Sequence, residues 1–124
     1  LDSPLAEAAT RSRLPFLPGV QTASEVMTAI GFGFRTLKFY PARAAGGPGV
    51  LADFASIFPD VLFVPTGKIT QADVSEYLAL RNVISVGGSW VAPADRIAAG
   101  DWPGITHLAQ QAARMSKAVP SGGR

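Results

Sequence analysis

Thr36-Leu37-Lys38-Phe39-Tyr40-Pro41-Ala42 is a short apolar run with one cation at its centre and a proline near its end. Side chains alternate across a strand, so Leu37 and Phe39 share one face while Thr36, Lys38 and Tyr40 share the other. Three further runs read the same way: Pro15-Phe16-Leu17, Val61-Leu62-Phe63-Val64 and Val83-Ile84-Ser85-Val86. Their ends fall at Pro18-Gly19, Pro41-Ala42, Pro65-Thr66 and Gly87-Gly88, roughly every 23 residues. Near-continuous Val, Phe, Leu and Ile suit strands covered on both faces, as in parallel sheets.

Helical patterns fill the intervals. Ala23, Val26, Met27 and Ile30 form one stripe, and Thr22-Ala23-Ser24-Glu25 fits a capping box at its start. Leu51, Phe54, Ala55 and Phe58 form the next. Val74, Tyr77 and Leu78 follow, opened by Thr70-Gln71-Ala72-Asp73, and Ile105, Leu108, Ala109 and Ala112 make the last. A leading helix is predicted from Ser3-Pro4, where proline's missing N–H costs little, with Leu5, Ala8 and Ala9 on its buried side. A short extra helix is predicted at Ala94–Ala99. All these stripes read as core. Val119 to Arg124 predicts a flexible tail after one domain over residues 1–118. The order α-(βα)₄ implies an α/β fold with a parallel sheet and right-handed crossovers. A small open sheet fits, and so does half of a (β/α)₈ barrel, since a whole barrel needs about 200–250 residues.

Composition narrows the function. The chain has 124 residues, 48% apolar and 16% charged, which argues against disorder. Its net charge of +2 comes without any Lys/Arg run, so no nucleic-acid partner is expected. No cysteine is present, and His107 is the single histidine, so neither a disulfide scaffold nor a Cys- or His-rich metal site is expected. No apolar run approaches the ~18 residues of a membrane span. The polar, helix-like start predicts no signal peptide, and Leu1 in place of Met leads to the expectation of further chain upstream.

Ligands of α/β folds bind at the carboxyl ends of the strands. If Leu37 and Phe39 pack under helices, Lys38 points into a barrel interior, where an ammonium must pair or lower its pKa. A lysine lowered toward ~7–8 is largely a free amine that can form a Schiff base with a carbonyl. An edge-strand lysine snorkelling to water fits the spacing equally well. Pro65-Thr66-Gly67-Lys68-Ile69-Thr70 and Gly87-Gly88-Ser89-Trp90 are two small-residue turns at consecutive strand ends. Either could be an ordinary turn; together they match the paired loops that hold phosphate in barrels of this kind. His107 reads as helix surface, and Trp90 and Trp102 as packing residues. Asp2, Asp60, Asp73, Asp95 and Asp101 read as caps and turns. No paired carboxylates fall at strand ends.

Leu37-Lys38-Phe39-Tyr40-Pro41-Ala42, Pro65-Thr66-Gly67, Val86-Gly87-Gly88-Ser89-Trp90 with Pro93-Ala94-Asp95, and Pro18-Gly19 resemble the carboxyl half of 2-keto-3-deoxy-6-phosphogluconate (KDPG) aldolases, in order and spacing. The resemblance implies a (β/α)₈ barrel, with these strands equivalent to 5–8, and a cytoplasmic homotrimeric class I aldolase needing no metal or cofactor. It implies cleavage of a 2-keto-3-deoxy-6-phospho sugar acid to pyruvate and glyceraldehyde 3-phosphate. A related branch instead cleaves 4-hydroxy-2-oxoglutarate to pyruvate and glyoxylate. On this resemblance Lys38 is the Schiff-base lysine and Tyr40 the aromatic beside the pyruvate methyl group. Thr66, Gly67, Gly87, Gly88 and Ser89 line the phosphate side. Lys68 replaces the second glycine of the usual Thr-Gly-Gly turn, either adding a cation or crowding the backbone. Arg43 stands where a glutamate commonly follows Pro-Ala. The family's general-base glutamate lies on early strands that this chain lacks, so the alternatives are an incomplete aldolase, completed by an amino-terminal half, or a non-catalytic half-barrel that binds phosphorylated ligands.

Overall fold

Residues 1–12 and 14–118 are described by a computed structural model of the chain, and the expected tail at 119–124 lies outside them. The elements run α1 (Ser3–Ser12), β1 (Gly19–Val20), α2 (Ala23–Gly31), β2 (Thr36–Phe39), α3 (Gly47–Ile57) and β3 (Leu62–Pro65). A 3₁₀ turn at Gln71–Asp73 then leads into α4 (Val74–Leu78), and another at Ser89–Val91 precedes α5 (Ala94–Ala98) and α6 (Trp102–Ala118). The three strands form one parallel sheet in the order β1-β2-β3. This is the alternating, parallel α/β pattern that the sequence predicts.

Two strands differ from expectation. Pro15-Phe16-Leu17 is not paired; β1 begins only after Pro18, whose carbonyl accepts from the Lys38 N–H at 2.8 Å. Prolines at 15 and 18 remove donors that a ladder needs, so the Pro18-Gly19 mark opens its strand instead of closing it. Val83–Val86 makes only two isolated bridges, Phe63 with Val83 and Thr66 with Gly87. Ile84 N donates to Phe63 O at 3.1 Å and Gly87 N to Pro65 O at 2.9 Å, leaving a loose fourth segment beside β3.

One face of the sheet is sealed. Leu37, Phe39 and Phe63 are fully buried with Val26 and Ala29 of α2, Leu51 and Phe54 of α3, and Tyr77 of α4. Phe39 meets Phe54 and Phe63 edge-on, at centroid separations of 6.1 and 6.4 Å, the geometry that aromatic quadrupoles favour. Asn82 is buried in this layer and donates to Leu51 O at 2.8 Å, tying the fourth segment to α3.

The stripes of α3 and α4 are as predicted, but two helices are rotated. Helix α1 buries Ala6 instead of Leu5, Ala8 and Ala9, and α2 buries Val26 and Ala29 while Ala23 and Met27 face water. Single apolar residues on an exposed helix face carry little penalty, so the stripe alone misplaces the buried side. Trp102, expected to pack, is 62% exposed.

Candidate functional site

The carboxyl ends of β2 and β3 gather the residues singled out in the sequence. On β2, Leu37 and Phe39 lie in the sealed core, so Lys38 occupies the opposite face, in register with Val64 on one side and Gly19 on the other. That face is half-buried, not enclosed: Thr36, Lys38, Leu62 and Val64 all retain partial exposure. The Lys38 Nζ lies 5.3 Å from the centre of the Tyr40 ring, within cation–π range.

Tyr40 and the turn after β2 are laced to the turn after β3. Ala42 N donates to Thr66 O at 2.8 Å, and Thr66 N donates to Phe39 O at 3.0 Å. Gly67 has φ +109°, and a side chain there would meet Pro41 Cα at 3.0 Å and Tyr40 Cδ2 at 3.2 Å. Only glycine permits both that backbone and that approach. Lys38, Tyr40, Thr66 and Gly67 therefore form one continuous rim.

Gly87 and Gly88 join this rim through packing. A Cβ on Gly87 would collide with the Thr66 methyl group, and one on Gly88 would fall inside the Trp90 indole. The Thr66 hydroxyl and the Trp90 indole N–H are both buried without a hydrogen-bond partner. Beyond them opens a cleft of about 550 Å³, with Lys68, Ile69 and Thr70 on one side and Ser89, Trp90 and Pro93 on the other. Lys38 and Tyr40 do not line it, so the site has two parts joined through Thr66-Gly67.

The charges around the cleft are specific. Asp73 accepts from the Thr70 N–H at 2.9 Å and from its hydroxyl at 2.8 Å, and these bonds, helped by Arg43, hold its carboxyl below the usual carboxylate range. Arg43 reaches the same oxygen at 3.5 Å. The Thr70 N–H and hydroxyl are thus already taken by a carboxylate of the same segment. At the end of β1, Glu25 accepts from the Gln21 and Thr22 N–H groups at 2.7 and 2.9 Å, which lowers its pKa. Burial, reinforced by Asp73 and Glu76, pushes the Tyr77 phenol up. Among the described residues no cluster of three or more His, Cys, Asp or Glu side chains is placed to hold a metal ion, and no helix is long and apolar enough to cross a membrane.

Sequence reasoning missed the part played by three residues. Trp90 reads as generic packing, yet its indole is what requires glycine at 88. Arg43 and Asp73, 30 residues apart, form an ion pair whose only sequence signal is the capping pattern at Thr70.

A family profile described as KDPG and KHG aldolase matches residues 1–108. The KHG/KDPG aldolase of Escherichia coli (strain K12) is 44% identical over 117 residues, covering 94% of this chain and 55% of that protein. The 2-dehydro-3-deoxy-phosphogluconate aldolase of Dickeya dadantii (strain 3937) is 45% identical over 112 residues, covering 90% and 53%. Among solved structures, the KDPG aldolase of Legionella pneumophila, with pyruvate captured as a covalent carbinolamine intermediate, superposes with a TM-score of 0.88 at 41% identity. That match covers 90% of this chain and 54% of the Legionella chain. The chain therefore spans about half the length of the relatives it matches, and it belongs to the KDPG and KHG aldolase family.

Proposed function

We propose that residues 1–118 are the part of a class I aldolase, half of a (β/α)₈ barrel, that carries the Schiff-base lysine and the phosphate-binding turns. One observation carries the reading: Lys38 stands on the open face of β2, its two neighbours sealed in the core and its Nζ 5.3 Å from the centre of the Tyr40 ring. In this reading the neutral Lys38 amine attacks the C2 ketone of the substrate, and loss of water leaves a protonated imine. The C3–C4 bond then breaks, its electron pair passing into the imine as an enamine, while the C4 hydroxyl loses its proton and becomes the aldehyde. Protonation at C3 and hydrolysis release pyruvate and free Lys38. Tyr40 flanks the pyruvate methyl group. The backbone of Thr66, Gly67, Gly87 and Gly88, the Ser89 hydroxyl and Lys68 hold the distal phosphate. The substrate is a 2-keto-3-deoxy-6-phospho sugar acid or 4-hydroxy-2-oxoglutarate, and the names of the relatives and the pyruvate adduct of the Legionella enzyme support both the class and the lysine chemistry. The reading calls for no cofactor or metal, and it places the chain in a homo-oligomer, a trimer as the family resemblance implies.

A second reading, a half-barrel that binds phosphorylated ligands without turnover, draws on Glu25. It is the carboxylate at the end of β1, and its two backbone N–H bonds make it a weak base. Incubation with pyruvate and borohydride separates the two readings. The aldolase reading expects one reduced adduct, on the peptide containing Lys38, and none in Lys38→Ala. Labelling scattered over several lysines, or unchanged in the variant, removes the Schiff-base role.

A further inference from the structure

Lys68 is the one non-glycine residue with positive φ among the described residues, at +55°. Left-handed backbone is unfavourable for any L side chain, and glycine relieves it without cost to packing here, because the Lys68 side chain is exposed. The lysine therefore contributes nothing to the core that would offset its conformation. What it does contribute is charge. Arg11, Arg43 and Arg96 are each paired with a carboxylate, whereas Lys68 has no acidic partner among the described residues.

Its position gives that charge a use. Lys68 lines the cleft across from Ser89 and Trp90. Behind it, Asp73 accepts from both the N–H and the hydroxyl of Thr70, so neither of those two donors is open to an incoming anion. Asp73 also adds a negative charge nearby, only partly offset by Arg43 at 3.5 Å. Attraction to loop amides and to a cation both scale with the ligand's charge, but the full unit charge of a lysine makes the difference between one negative charge and two larger than amide partial charges do.

We propose that Lys68 is a specificity-determining residue that tunes this cleft to ligands ending in a dianionic phosphate, in preference to a monoanionic carboxylate. In the aldolase reading, on which the identity of the attached chain rests, this tips the substrate toward the phosphorylated sugar acid and away from hydroxy-oxoglutarate. A phosphate monoester takes its second charge near pH 6, so the preference grows as pH rises through that value.

The test titrates the 124-residue chain with glycerol 3-phosphate and with acetate by calorimetry at low ionic strength, at pH 5.0 and 7.5. Three proteins are compared: wild type, Lys68→Asn, which tolerates left-handed backbone without charge, and Lys68→Arg. Wild type is expected to bind glycerol 3-phosphate at least about tenfold more tightly than acetate at pH 7.5, and more weakly at pH 5.0. Lys68→Asn should lose about tenfold for the phosphate ester and little for acetate, with Lys68→Arg near wild type. Equal or tighter phosphate binding by Lys68→Asn overturns the proposal, as does failure of wild type to distinguish the two ligands. Thermal melts of each variant show whether a loss comes from unfolding. Failure of wild type to trap pyruvate at Lys38 would instead remove the aldolase reading and leave the charge preference standing on the titration.

Discussion

At the scale of single residues, the two glycines of Gly87-Gly88 show how one motif can answer to two causes. As sequence they read as an anion cradle, and substitution at 88 would then act by blocking a ligand. In the fold, the Thr66 methyl group lies where a Gly87 side chain would begin, and the Trp90 ring lies where one would begin at Gly88. Gly88→Val must therefore displace the indole before it can affect any anion. Overpacking of this kind costs about 1–3 kcal/mol. The expected result is a lower denaturation midpoint together with loss of the Trp90 contribution to the near-ultraviolet circular dichroism; an unchanged spectrum and midpoint would show that the indole is free to move. Lys38 was legible because alternation along β2 leaves it only one face. Lys68 was legible only as a lysine where the resembled turn carries a second glycine; its left-handed backbone emerges with the fold. Trp90 was not, because a tryptophan two residues after a glycine has no fixed meaning until the turn folds it back.

Elements were legible where local chemistry fixes them and less so where partners do. The capping box forms as read at Thr22, whose Oγ1 accepts from Glu25 N while Glu25 reaches back; at Thr70, where the sequence reads only a helix opening, Asp73 accepts from the Thr70 N–H and hydroxyl. Thr22→Ala should destabilise the protein by about 1 kcal/mol in urea unfolding. Glu25 adds a pH dependence. Its folded pKa is lowered, so its contribution is complete above the ordinary value of 4.5 and fades as pH falls through the lower folded value. The stability gap between wild type and Glu25→Gln should accordingly be constant near pH 7 and shrink below pH ~4; a gap that widens on acidification contradicts this. The fourth strand was overread. Val83–Val86 has the composition of a buried strand, yet it sits at the sheet's outer limit with nothing beyond it to complete a ladder. Hydrogen exchange should reveal this as slow amides at Ile84 and Gly87, which donate to Phe63 and Pro65, beside fast ones at Ser85 and Val86. Protection of Ser85 and Val86 as well would mean that a further strand pairs along the outer edge of this segment.

For the molecule as a whole, the sheet has one finished face and one unfinished one. Thr36, Lys38, Leu62 and Val64 look out from the unfinished side, and β1 is an edge flanked by Leu14, Phe16 and Leu17, which are 72%, 39% and 41% exposed. Open edges with apolar neighbours invite pairing with another chain. The repeat of strand and helix was visible in the sequence, but it leaves a small open sheet and half of a barrel equally possible, because closure depends on strands beyond the four runs. The proposed chemistry has the same gap: a lysine that forms the imine and turns suited to phosphate, with no free carboxylate beside them among the described residues to move a proton. Loss of a general base costs about 10²–10⁴-fold. The 124-residue chain alone is therefore expected to self-associate in sedimentation and to release pyruvate very slowly. Supplying the separately expressed amino-terminal half of the Escherichia coli relative should cover the β1 edge, suppress self-association and raise pyruvate release in a manner that Lys38→Ala abolishes. A monomeric chain with ordinary turnover by itself would overturn this, and would transfer the proton step to a group on this rim, Tyr40 or a water held beside it.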